Sequence, residues 1–265
     1  LLQIQGEKKA LPYLNEIYKP LTRLAEWWYT YRDFDGDGMP QYHHGNDSGW
    51  DNATVFDQGC PVEGADLAAF LVLQCEAISH IAALLNHRKA ARRWHERSQT
   101  QLDQLVQLQV KKGRFFSPRD GETTAPETHS LISTIPVILG ERLPPKVRRR
   151  LVEELSPEGP FLTPYGLASE APTSEKYIPD GYWRGPIWAP STYRIFDGLA
   201  AVGEVTLADT IAERFCNMCL RSPGFWENYD ALTGQGLRCP GYSWTASVFL
   251  LLAHHLYQRR SKANR

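Results

Sequence analysis

The run ADLAAFLVLQCEAISHIAALL, Ala65–Leu85, decides the fold. Its apolar side chains do not keep to one stripe; they recur on every side of a 3.6-residue helix. A helix of that kind needs neighbours all round it. Asp66, Gln74, Glu76 and His80 interrupt the run, so it predicts a helix buried in protein and not a membrane span. The next stretch differs. Over Arg88–Val110, Ala91, Trp94, Leu102, Leu105 and Val106 form one face and Arg88, Lys89, Arg92 and Arg93 another. One wet face places that helix outside.

The same alternation extends in both directions. Tyr18–Arg32 is amphipathic, with Leu21, Leu24, Ala25, Trp28 and Tyr31 on its apolar side. His129–Leu139 is short and apolar, with Pro136 predicting a kink. Pro144–Leu155 carries Val147, Leu151 and Leu155 on one stripe, so its basic run Lys146–Arg150 reads as a solvated face. Ile187–Val202 is rich in large apolar groups. Val205–Arg221 has the cleanest stripe, and Ser243–Tyr257 is apolar nearly all round. Amphipathic helices outside and all-round apolar helices inside predict concentric layers, an all-α toroid; a generic helical bundle is the simpler alternative.

The connections point the same way. Inner-to-outer links are short, whereas outer-to-inner links are long: about 33–64, 112–127, 156–186 and 222–242. If helices alternate up and down, all the long loops open on one rim, where Trp50, Asp51, Trp183, Arg184, Trp188, Trp226 and Glu227 then gather. Loops on a rigid scaffold are where function concentrates. Indoles stack on the C–H faces of sugars, and hydroxyls pair with Asp, Arg and Asn. Cleaving a glycosidic bond needs a pair of carboxyl groups. Asp47, Asp51, Asp57, Glu227 and Asp230 are all candidates on residue type alone.

Three segments resemble glycoside hydrolase family 63, the processing α-glucosidase and mannosylglycerate hydrolase group related to the trehalases. They are DGDGMPQYHHGNDSGWDNATVF (Asp35–Phe56), YWRGPIWAPSTY (Tyr182–Tyr193), and WENYDALTGQG with the following YSWTASVFLLL (Trp226–Leu252). The resemblance implies an (α/α)6 barrel and an inverting mechanism on α-glucosides or α-mannosides. It implies Asp51 as general acid and Glu227 as general base. It also implies a sugar pocket lined by Trp50, Tyr182, Trp183, Arg184, Trp188, Asn228 and Trp244. The chain reads as one catalytic domain over residues 1–265, holding about four of the family's six helix pairs, the C-terminal two-thirds of the barrel. A missing N-terminal barrel segment or self-association is therefore expected, and the alternative function is a truncated carbohydrate-binding or assembly module without turnover.

Other signals are bland. A net charge of −1 gives no nucleic-acid footprint. The N-terminal stretch lacks the basic and apolar pattern of a signal peptide, and no membrane partner is expected. Five cysteines at irregular spacing imply no disulfide framework and slightly favour a reducing cytoplasm. Cys216 and Cys219, a lone C-x-x-C on a helix stripe, read as core. No cofactor is required. Asp33, Asp35 and Asp37, with Gly38 next, resemble the start of a calcium loop and make a structural calcium ion the one candidate metal. The twelfth loop position is His44, which offers no carboxylate, so a tight Asp/Gly turn is the competing reading.

Overall fold

The structure, a computed structural model, describes residues 2–119 and 121–263. In chain order the helices are α1 (Leu2–Gln5), α2 (Glu7–Tyr31), α3 (Gly45–Ser48), α4 (Ala65–Leu84), α5 (Arg88–Leu108), α6 (Pro145–Leu155), α7 (Ala189–Ala201), α8 (Val205–Arg221) and α9 (Ser243–Ala263). Short 3-10 helices cover Thr54–Phe56 and Leu131–Arg142. The strands are two residues each: β1 (Val110–Lys111), β2 (Arg114–Phe115), β3 (Asn228–Tyr229) and β4 (Gly236–Leu237). The described residues group into two compact units interleaved in sequence. One takes the chain up to His43 with Cys60–Val110 and Ser117–Ala125; the other takes His44–Gly59, Lys111–Phe116 and the chain from Pro126 onward.

In the first unit α4 packs on α2 and α5. It buries Ala65, Leu67, Ala68, Ala69, Leu71, Val72, Cys75 and Ile78, positions that fall on every side of the helix, as its sequence predicts. By length and composition α4 could also cross a membrane, but half of it is buried inside the protein, which is how a core helix behaves. On α5 the buried set is Trp94, Ser98, Gln101, Leu102 and Leu105, with the arginines outward. Helix α2 departs from expectation. It starts at Glu7 and runs through Pro12 and Pro20, and its buried residues are Ala10, Leu14 and Ala25. Leu24 and Tyr31 are exposed. The stripe that meets α4 passes through Leu21, Ala25 and Tyr29, so Leu21 and Ala25 of the predicted face turn inward while Leu24 and Tyr31 do not.

Asp66, in the first turn of α4, is fully buried and accepts the Tyr42 hydroxyl at 2.9 Å. Burial pushes its carboxyl from 3.8 up to about 6 against the opposing effect of that hydrogen bond. The folded state thus holds a proton that the unfolded chain gives up at lower pH. Stability is expected to fall as pH rises from 3.8 to about 6, at up to about 1.4 kcal/mol per pH unit. Urea unfolding across that window checks it: Asp66→Asn should flatten the slope, and an unchanged slope would refute the assignment.

In the second unit the 3-10 helix Leu131–Arg142 packs against α6 and α7, α7 against α8, and α8 against α9. The segment expected as an ordinary kinked helix is wound as 3-10 instead. Pro136 offers no N–H, the Thr134 hydroxyl bonds the Leu131 carbonyl at 2.8 Å, and Gly140 leaves helical geometry altogether. Helix α8 has the predicted bounds and buries Ala208, Ile211, Ala212, Phe215, Cys216 and Cys219. Burial pushes the Cys216 and Cys219 thiols up to about 11 and about 12, so they are protonated core groups. The long 156–188 connection buries Phe161, Leu162, Leu167, Ala168 and Ala171.

Helix α9 corrects the sequence reading. It was expected to be buried on all sides. It buries Thr245, Val248 and Leu252, yet leaves Trp244, Leu250, Leu251 and Tyr257 exposed. Its partners α7 and α8 cover one face, and the remaining apolar side chains stand in solvent. Asp209 on α8 holds α9 through a hydrogen bond with His255 Nε2 at 2.7 Å and an ion pair with Arg259 Nε at 3.2 Å.

Candidate active site

Three loops of the second unit build the site, and each is fixed locally. The first begins with α3. His44 Nδ1 accepts the Asn46 N–H at 3.1 Å, while Asp47 Oδ2 accepts the His44 N–H at 3.2 Å, a reciprocal cap at the helix start. Gly49 ends α3 with φ 72°. The Ala53 N–H then bonds the Trp50 carbonyl at 2.8 Å, closing a turn around Asp51. A Cβ on buried Gly45 would lie 2.0 Å from the Asp51 carbonyl oxygen. Only glycine permits that approach. Gly45→Ala is expected to destabilise the protein by about 1–3 kcal/mol and to lower activity with it; a wild-type melting temperature and rate would show that the loop yields.

The second loop runs from Tyr177 to Trp188. The Ile178 N–H bonds the Arg184 carbonyl at 2.8 Å and the Gly181 N–H bonds the Ile178 carbonyl at 2.9 Å, which turns Tyr182 outward with φ 64°. Trp183 and Trp188 stack at 4.2 Å and 7°, and Trp50 leans on Trp183 at 4.3 Å. The third loop is the β3–β4 hairpin, with Asn228 opposite Leu237 and Tyr229 opposite Gly236. Glu227, just before β3, donates its N–H to the Cys239 carbonyl at 2.8 Å. The loops are tied together. Ile187 and Tyr229 exchange backbone bonds at 2.7 and 3.1 Å. The Asn52 amide donates to the Gly181 carbonyl at 3.0 Å and accepts the Trp183 N–H at 3.0 Å.

Tyr182 stands where these loops meet. Its hydroxyl lies 3.4 Å from Glu227 Oε1. The phenol is held above its ordinary range, first by burial and then by the charges of Glu227 and Asp51. It therefore lies within electrostatic reach of the carboxylates of both Asp51 and Glu227. Tyr242 is raised likewise, by burial and then by Glu227. Two protonated phenols thus flank Glu227, and neither can act as a base near neutral pH.

The other predicted residues fall into two groups. Trp50, Trp183 and Trp188 are 7%, 3% and 1% exposed. Their rings support Tyr182 from beneath: Trp188 meets it edge-on at 4.9 Å and donates Nε1–H to its carbonyl at 2.9 Å. Arg184 pairs with Asp57 and donates Nε–H to the Asn52 carbonyl at 2.8 Å, so it clasps the loop that carries Asp51. Trp244, by contrast, is 51% exposed and sits 5.4 Å from Tyr242. Asn228 is buried; its Oδ1 accepts from Arg238 at 2.9 Å and its Nδ2 has no protein partner.

Sequence reasoning passed over Asn52, Arg238, Tyr242 and Glu170. Glu170 is buried and accepts the Thr54 hydroxyl at 2.8 Å and the Ser174 hydroxyl at 2.7 Å, so it anchors the loop that carries Asp51. Asp57 does the same from the surface, through Lys176 at 2.7 Å. No local pattern marks the pairing of Glu170 with Thr54 or of Asp57 with Lys176, because each partner lies far along the chain. In the first unit the carboxylate oxygens of Asp33, Asp35 and Asp37 come within 4.8 Å of one another. Each also accepts a backbone N–H, from Gly38, Asp37 and Met39 respectively, which is how a tight acidic turn holds itself. His44 uses its Nδ1 as a helix cap.

Residues 1–245 match the family model of the mannosylglycerate hydrolase MGH1-like glycoside hydrolase domain. The chain belongs to this family, within glycoside hydrolase family 63. It is 38% identical over 86 residues to the mannosylglycerate hydrolase of Thermus thermophilus, a match covering 32% of this chain and 20% of that enzyme. It is 28% identical over 145 residues to a probable mannosyl-oligosaccharide glucosidase of Schizosaccharomyces pombe, covering 47% of this chain and 18% of that protein. These aligned stretches thus span about a fifth of each relative's length. The crystal structure of the Thermus thermophilus mannosylglycerate hydrolase in complex with glucose superposes with a TM-score of 0.81 at 22% identity, covering 94% of this chain and 71% of that one. The all-α toroid read from the helix alternation, which the resemblance made a glycosidase-type barrel, is the fold class of this family 63 chain.

Proposed function

We propose that this family 63 chain supplies the catalytic residues of an inverting glycoside hydrolase acting on α-glucosides or α-mannosides, with Asp51 as general acid and Glu227 as general base. Asp51 delivers its proton to the glycosidic oxygen as the C–O bond breaks. Glu227 takes a proton from a water whose oxygen bonds to the anomeric carbon from the opposite face. The observation that carries this reading is the position of Tyr182, hydrogen-bonded to Glu227 and within the electrostatic reach of Asp51. An inverting pair stands about 6.5–9.5 Å apart to admit the water, and a phenol bonded to one carboxylate and sensing the other fits such a gap. Trp244 offers the sugar an open indole face. The test is proton NMR of the first-formed product from mannosylglycerate and a panel of α-linked glucose disaccharides. The β-anomer is expected first, and the α-anomer would overturn the mechanism.

The exposed apolar face of α9 favours a second reading, in which the chain binds carbohydrate or assembles with a further barrel segment or a second copy and has no turnover by itself. Calorimetric binding of an α-glucoside without product supports that reading, and turnover by the monomer rejects it.

A further inference from the structure

Arg238 lies outside every residue set read from the sequence, yet its side chain joins the hairpin that carries Glu227 to the Tyr182 loop. It directly follows β4 and adjoins Cys239, whose carbonyl takes the Glu227 N–H at 2.8 Å. Its backbone is left-handed, φ 66°, a conformation that side chains other than glycine rarely hold without support. The guanidinium reaches three places. One Nη1–H goes to Asn228 Oδ1 at 2.9 Å, on the Glu227 hairpin. Nη1 also lies 2.6 Å from Asp180 Oδ1, and Nη2 donates to the Asp180 carbonyl at 3.2 Å, on the Tyr182 loop. Its carbon sits 4.9 Å from the centroid of the Tyr182 ring. Tyr182 is itself left-handed, with φ 64°, and its hydroxyl meets Glu227. Two left-handed residues on two loops therefore face each other across one guanidinium.

We propose that Arg238 is a positioning residue for the base: its planar fork locks the Glu227 hairpin to the Tyr182 loop and keeps the Tyr182 phenol on the Glu227 carboxylate. The proposal deepens the assignment of Glu227 as base and rests on it. The fork matters because it binds a side-chain amide, a carboxylate and a carbonyl at once, which a lysine ammonium on a flexible stem does not reproduce. The charge over the ring adds to this. A cation on the face of a phenol draws electron density from it and makes its O–H a better donor to a carboxylate.

The test uses the full chain with 3-fluorotyrosine at position 182, read by fluorine NMR, beside steady-state kinetics on mannosylglycerate and an α-linked glucose disaccharide. Glu227→Gln should move the fluorine resonance, because the hydroxyl loses its charged acceptor. Arg238→Gln should also move it and should blunt the response to Glu227→Gln, since the phenol has left the carboxylate. Arg238→Gln should lower kcat by about ten- to a hundredfold with KM within about threefold, the pattern of lost alignment and not of lost binding. Arg238→Lys should fall between, keeping the charge and losing the fork. If Arg238→Gln does not fold, Arg238→Lys decides. Wild-type kcat together with an unchanged fluorine response to Glu227→Gln overturns the proposal in either variant. A Glu227→Gln enzyme that still turns over at the wild-type rate overturns the base assignment instead, and the fluorine coupling then reports on the clamp alone.

Discussion

Glu227→Gln is expected to lower hydrolysis by about 10²–10⁴-fold while leaving the fold in place. The substitution changes charge and basicity but little else. The Glu227 N–H bond to the Cys239 carbonyl belongs to the backbone, and a glutamine oxygen can still accept the Tyr182 hydroxyl. The hairpin should therefore persist, held by Asp230, whose Oδ1 takes the N–H groups of Leu232 and Thr233 at 2.8 Å each. What disappears is the acceptor for the water's proton. Asp51→Asn should cost a similar factor on a sugar with a poor leaving group, and much less on a nitrophenyl glycoside, whose leaving group departs without a proton. Measuring kcat on both substrate types beside thermal unfolding separates the roles. A variant at Glu227 that retains the wild-type rate would remove it from the chemistry, and an Asp51→Asn loss independent of leaving group would remove Asp51 from the acid role.

The helices were legible because their information is periodic. The bounds of α8 and the all-round burial of α4 follow from spacing alone, and α5 shows its basic face outward as read. Where periodicity competed with a special residue it misled. Pro136 and Gly140 turned one predicted helix into 3-10 winding. Apolar content also overstated burial on α9, because composition says which side chains seek cover and not whether neighbours supply it. The loops carry no period. Residue type there told that Trp183, Trp188 and Arg184 belong near the site, but not which way each points. The geometry turns the two indoles inward as a stacked support and turns the arginine onto Asp57. Asn52 and Arg238 escaped notice for the same reason. Asn52 bonds residues about 130 positions away, and Asp180, a partner of Arg238, lies 58 positions from it.

Trp188→Ala should be the most damaging single change to stability in the second unit, costing about 3–5 kcal/mol. The indole is 1% exposed, so its whole packing surface is lost. Stacking with Trp183 and the edge contact to Tyr182 go with it. The Nε1–H bond to the Tyr182 carbonyl goes too. That last contact can be isolated. Trp188→Phe keeps an aromatic ring against Trp183 but leaves the Tyr182 carbonyl without its donor, at a cost of about 1–3 kcal/mol. Tyr182 holds a left-handed backbone only because its surroundings over-determine it. Losing one of those restraints should let the phenol withdraw from Glu227, so Trp188→Phe should reduce kcat by more than its modest effect on unfolding would suggest. Denaturant unfolding and kcat measured on both variants decide the matter. If Trp188→Phe lowers stability and leaves kcat untouched, the indole is plain core and Tyr182 keeps its place without it.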